Sequence, residues 1–213
     1  MLTSHSRCHG APPKEPWEYS PAFLDLFRRT DEMKYRLMPY IYAQAKYSTE
    51  HGLPMVRALF VEYPNDPGAW QVDNEYLFGS DILVAPLFEE NSTGRDVYLP
   101  AGEWIDYQTG KLYSGGWHKI EAGAIPVVML VRDGALIPQM EPAQSTASLD
   151  WSKLDMVIYA DRAQAAQGLV CLPSDNVLHP VEAARSNGTF ALAADPLQGK
   201  ATSTVRLYSQ ARR

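Results

Sequence analysis

Gly79-Ser80-Asp81-Ile82-Leu83-Val84-Ala85-Pro86-Leu87-Phe88 is where the 213-residue sequence changes texture. The apolar run that starts at Ile82 is short and bounded by turn-forming residues, as a buried strand requires. Similar runs recur downstream at 95–100, 103–107, 111–113, 117–120, 127–132 and 135–137, each punctuated by Gly or Pro. That spacing predicts an antiparallel sandwich. Thr109-Gly110 and Ser114-Gly115-Gly116 read as its hairpin turns. The fold class is α+β by segments, and mainly β after residue 80.

Upstream of the change, the apolar residues follow a different period. Phe23, Leu26, Phe27, Met33, Leu37, Met38, Ile41, Tyr42 and Ala45 recur every three or four positions, which puts them on one broad helical face. Ser20-Pro21 supplies an N-cap and a proline at the first helical position, Pro39 should kink the helix, and Gly52 and Pro54 should stop it. Residues 53–63 then form an apolar run ending at Pro64, consistent with a buried strand. The proline-rich 64–68 reads as a loop, and 73–78 as one or two helical turns.

Past the sandwich runs, residues 141–148 are polar and contain Pro142, and they read as a linker. Further β-type runs lie at 154–159, 168–172, 189–192 and 203–208, with 160–167 as a helical turn or a loop. The organisation expected is therefore 1–79, 80–144 and 145–213. No internal repeat is visible.

Composition narrows the function. Hydrophobic residues make up 46% of the chain and the formal net charge is −6. No basic stripe exists for nucleic acid, and no apolar run approaches the roughly 20 residues that cross a bilayer. A neutral or small polar ligand suits such a surface. Cys8 and Cys171 lack metal-type spacing, which makes a structural zinc site improbable and suggests reduced thiols in a cytoplasmic setting. Asn91-Ser92-Thr93 and Asn187-Gly188-Thr189 fit the glycosylation pattern, which matters only in a secreted context and otherwise marks polar turns. Neither a phosphate-cradling glycine loop nor a serine nucleophile elbow is present.

The densest cluster of chemically capable side chains is Ser4-His5-Ser6-Arg7-Cys8-His9-Gly10. In an extended segment, His5, Arg7 and His9 would face the same way and could share a pocket, although a polar chain end has the same appearance. Glu62 and Asp66 are conceivable catalytic carboxylates. Glu62 reads rather as a structural partner for Arg57 or a loop amide, and Asp66 rather as a turn-forming residue. Trp17, Trp70, Trp104 and Trp117 could be stacking platforms for sugar rings, but Trp104 and Trp117, lying between short strands, read rather as core.

The order of these segments resembles glycoside hydrolase family 31, the α-glucosidase and α-xylosidase family. The resemblance rests on residues 1–10, Glu15-Pro16-Trp17, residues 34–42, 52–59, 62–66, 79–86 and 98–104, and Val131-Arg132-Asp133-Gly134-Ala135-Leu136-Ile137-Pro138. It covers about residues 1–138 in family order. The Ser-His-Ser-Arg-x-His-Gly form of the first motif looks most like the α-xylosidase branch.

The resemblance implies the final elements of a (β/α)8 barrel followed by β-sandwich domains. Residues 23–49 would be a late barrel helix and 53–63 the last barrel strand. It also implies retaining hydrolysis of terminal α-xylosyl or α-glucosyl residues by two aspartates, without a metal or organic cofactor, on an α-linked oligosaccharide or glycoside. No residue of this chain aligns with either aspartate, so catalytic residues are absent from the expectation. His9 would hydrogen-bond the sugar at the cleaved position, with Arg7 beside it as the second substrate-binding residue. A full barrel takes about 250 residues, so the chain reads as a C-terminal portion, inactive alone and prone to self-associate through barrel faces left uncovered. The competing reading is a non-catalytic β-sandwich module for carbohydrate binding or assembly.

Overall fold

A computed structural model describes residues 10, 12–194, 197 and 199–208. Helix α1 (Pro21–Arg36) starts where the sequence predicts: the Ser20 hydroxyl accepts the Phe23 N–H at 3.2 Å, and Pro21 fills the first position. Leu37 separates α1 from α2 (Met38–His51). The Leu37 N–H still reaches the Met33 carbonyl, and the Ile41 N–H reaches that of Leu37. The single kinked helix of the sequence reading is thus two helices in near continuity, with the break one residue ahead of the α2 segment that holds Pro39. Gly52 ends α2 in the left-handed region, at φ 72°. Met33, Leu37, Tyr40 and Ala43 form the buried stripe.

Residues 53–63 are not the long buried strand expected. They make β1 (Val56–Arg57) and then one turn of helix, α3 (Leu59–Glu62). The Arg57 Nε lies 3.5 Å from a Glu62 carboxylate oxygen. In a continuous strand these two residues would sit about 16 Å apart. Folding back lets the charged side chain enter the interior with its partner. β1 pairs antiparallel with β2 (Tyr76–Phe78) in a sandwich sheet, so it is not a barrel strand. β2 also replaces the helical turns expected at 73–78, and a 3-10 turn forms earlier, at Gly68–Trp70.

The strands that follow are β3 (Ile82–Pro86), β4 (Gly94–Asp106), β5 (Leu112–Glu121), β6 (Val127–Arg132) and β7 (Ala135–Gln139). Two pairs of expected short runs are fused in β4 and β5. Asp106 closes their turn by accepting the N–H groups of Gln108 and Thr109, and Gly110 there has φ 75°. The second turn expected, at Ser114-Gly115-Gly116, lies inside β5 opposite a bulge. Leu99 faces Gly116 and Glu103 faces Ser114, so β4 carries extra residues between them. A Cβ on Gly115 would stand 3.0 Å from the Ala101 Cα and the Pro100 carbonyl oxygen, so the bulge leaves little room for a side chain there.

The chain continues as β8 (Lys153–Tyr159), β9 (Ala165–Cys171), β10 (Leu178–Ser186), β11 (Thr189–Leu192) and β12 (Thr202–Tyr208). The first sheet has the order β1-β2-β3-β6-β4-β5 and the second β11-β10-β9-β7-β8-β12. The first is antiparallel throughout. The second is mixed, because β12 runs parallel to β8 and β7 parallel to β9. Sheet membership crosses residues 79 and 144, since β1 and β2 join the first sheet and β7 the second.

Alternation sorts the core into layers. Ile82, Val84, Met129 and Val131 from the first sheet meet Ile137, Val157 and Tyr159 from the second, together with Leu37 and Tyr40 of the helices. The outer face of the first sheet packs Leu83, Leu130 and Trp104 on Leu59, Ala69 and Val72. The outer face of the second gathers Leu136, Met156, Ile158 and Val170 against Tyr35 and Met38. The helix pair, expected to lack a partner, is therefore covered from Met33 onward. Trp17, Tyr19 and Phe23 remain exposed. No helix among the described residues is long and apolar enough to cross a membrane.

Candidate functional site

His5, Arg7 and His9 lie outside the described residues, as does Cys8; Cys171 is buried with a free thiol. The described chemistry gathers where α3 and the loop after it meet the β4–β5 bulge. A groove of about 900 Å³ opens there, walled by Glu62, Tyr63, Asn65 and Asp66 and floored by Leu99, Glu103 and Ser114. Both carboxylates singled out in the sequence are in it.

Their engagements match the structural readings. Glu62 holds Arg57 through one carboxylate oxygen and Arg132 through the other, each at 3.5 Å. The Arg57 side chain is 2% exposed, so losing Glu62 would strand a charge in the interior. Asp66 Oδ1 accepts the Gly68 N–H at 2.9 Å and the Tyr98 hydroxyl at 2.7 Å, which fixes the loop as an Asx turn against β4. The Arg132 guanidinium sits 5.1 Å from the Tyr63 ring centroid and 5.7 Å from that of Trp104.

Asp81 stands behind this pair. Burial raises its carboxyl to about 6, against the opposing pull of Arg132 and of the Tyr40 hydroxyl. Tyr40 donates to the Phe78 carbonyl at 2.9 Å and receives the Asp81 N–H at 3.1 Å. Burial also pushes the Tyr63 phenol up to about 12, so it is a neutral donor at any ordinary pH. Glu75, just ahead of β2, is 4% exposed; burial lifts it to about 7 despite Arg95 and the Tyr98 N–H.

Several participants were invisible in the sequence. Tyr98, Glu103 and Arg162 come together only through the β4–β5 arm and the contact between sheets, where Arg162 donates to Glu103. Trp104 is buried, as expected. Trp117 is not: it is 63% exposed and leans on Tyr98 with ring centroids 5.4 Å apart. Phe60 and Trp70 stack at 4.6 Å on the outside of the same loop region. Among the described residues, no three His, Cys, Asp or Glu side chains are grouped to hold a metal ion. The carboxylates of the groove are committed to arginines, a phenol or a backbone amide, so the arrangement suits binding better than proton transfer.

The sequence model of the glycosyl hydrolases family 31 TIM-barrel domain matches residues 1–44, and that of the glycosyl hydrolase family 31 C-terminal domain matches residues 52–137. The α-xylosidase XylQ of Lactiplantibacillus pentosus is 30% identical over 209 residues, covering 95% of this chain and 27% of that protein. The α-glucosidase 2 of Bacillus thermoamyloliquefaciens is 30% identical over 138 residues, covering 64% of this chain and 18% of its own length. Among solved structures, a variant of a Flavobacterium johnsoniae dextranase complexed with isomaltotriose superimposes with a TM-score of 0.76 at 28% identity, covering 84% of this chain and 23% of that one. The chain spans about a fifth to a quarter of these relatives.

Proposed function

We propose, from the premise that the chain belongs to glycosyl hydrolase family 31, that it supplies the carboxy-terminal part of a retaining glycosidase acting on terminal α-xylosyl or α-glucosyl residues. The observation that carries this reading is the order of the two family domains along the chain, the barrel domain leading directly into the C-terminal β-domain. The relatives named as an α-xylosidase and an α-glucosidase support the substrate class.

In this reading His9 and Arg7 bind substrate, and the reacting aspartates come from sequence outside the chain. A neutral imidazole donates from one nitrogen and accepts at the other, which matches a sugar hydroxyl. The 213-residue chain alone has binding groups without nucleophile or acid, so it does not turn over glycosides.

A hybrid tests the proposal: residues 1–213 replace the matching region of the Lactiplantibacillus pentosus α-xylosidase. The hybrid is expected to release p-nitrophenol from the α-xyloside or the α-glucoside. His9→Ala should lower its kcat/KM by about 10- to 100-fold, the range for losing buried hydrogen bonds. A folded hybrid inactive on both substrates contradicts the proposal.

A further inference from the structure

We infer that the groove between the loop after α3 and the β4–β5 bulge is a binding site for a neutral oligosaccharide. The groove is built from residues separate from the motif proposed to bind substrate during catalysis. Its volume of about 900 Å³ lies within the roughly 300–1,000 Å³ range of ligand cavities.

Charge selects the class of ligand. Three carboxylates line the groove, Glu62, Asp66 and Glu103. Three guanidiniums, those of Arg57, Arg132 and Arg162, pair with Glu62 and Glu103. The site is close to electrically balanced, so neither a cation nor an anion gains much by entering. Acceptors nevertheless abound. Glu103 gives one oxygen to Arg162, and Asp66, on the groove wall, engages the Gly68 N–H and the Tyr98 hydroxyl through Oδ1 alone. A ligand rich in hydroxyl donors fits that inventory, and unmet carboxylate acceptors favour one.

The aromatic component points the same way. Tyr98 lines the groove and Trp117 rests against it with most of its ring in solvent. An exposed Trp beside a Tyr offers the flat apolar surface on which the C–H face of a pyranose packs. The bulge adds room: Gly102, Gly115 and Gly116 line the floor without side chains, so a ligand can approach the backbone closely. Phe88, 71% exposed over Arg95, lines a separate hollow with Glu89, Asp96 and Lys119 and serves as a control.

Titration of the 213-residue chain with isomaltotriose and with cellotriose, followed by tryptophan fluorescence and by amide chemical shifts, tests the site. Saturable binding of either sugar in the millimolar range is expected, with shifts concentrated at residues 62–67, 98–103 and 114–117. Trp117→Ala should weaken it at least tenfold, while Phe88→Ala leaves it unchanged. The inference is overturned if neither sugar binds up to about 20 mM, if the shifts map elsewhere, or if Trp117→Ala binds as well as the parent. Equal loss in both variants would also overturn it. Should Trp117→Ala fail to fold, the shift map of the parent chain decides alone.

Discussion

The two sheets follow the same alternation of apolar residues, yet they differ in what lies between and beside those residues. Around the first, Arg57, Glu75 and Asp106 are buried, and Glu62, Asp81 and Arg132 form a linked charged group behind the groove. In the second, Gln139 is the only buried polar side chain among the described residues, and Leu136, Met156, Ile158, Val170 and Val181 fill its outer layer. Buried charge costs stability and is tolerated only when paired. The difference separates a sheet that carries chemistry at the expense of stability from one that supports it by packing.

Single substitutions should sharpen that contrast. Glu62→Ala strands the Arg57 guanidinium, 2% exposed, in the first sheet without its carboxylate. A loss of about 3–5 kcal/mol is expected in urea unfolding, and a loss under about 1 kcal/mol would show that the pair is not structural. In the second sheet Ile158→Ala creates a cavity in an apolar layer. It should cost about 2–4 kcal/mol, with little dependence on salt or pH.

The sheets should also differ in their response to pH. Glu75 and Asp81 have folded-state values raised to about 7 and about 6. The folded chain therefore holds these protons more tightly than the unfolded chain does. Their contribution is fully present below about pH 4 and is lost as pH rises through 6 and 7. Stability measured between pH 5 and pH 8 should fall. Glu75→Gln should flatten that decline, whereas Ile158→Ala should shift the curve without changing its slope. The smallest effect is expected at Trp117→Ala, within about 0.5 kcal/mol, because the ring is 63% exposed.

Much of this was legible in the sequence, for identifiable reasons. Ser20-Pro21 and Gly52 bracket the helix pair because capping is local chemistry, and 127–132 and 135–137 read as strands because both their faces are apolar. What escaped depends on distant partners. The turn of helix at Leu59–Glu62 forms in a run that looks like strand, with Arg57 seated inside against Glu62. β10 was missed because Pro180, Glu182 and Arg185 interrupt its apolar pattern; its inward residues are only Val181 and Ala183. Trp117 lies outside the core because the β4–β5 arm extends beyond the layer that buries Trp104. Of the candidate site residues, the pairing of Glu62 with Arg57 and the turn role of Asp66 were legible because those partners are local, whereas Arg132 and Tyr98 arrive from other strands.

Under the proposed function the chain contributes substrate-binding and supporting elements without the reacting carboxylates. Release of p-nitrophenol from p-nitrophenyl α-xyloside and α-glucoside by the purified 213-residue chain measures this directly. No release above buffer is expected at any chain concentration. Release proportional to chain concentration, and abolished with the chain's own unfolding, would contradict it.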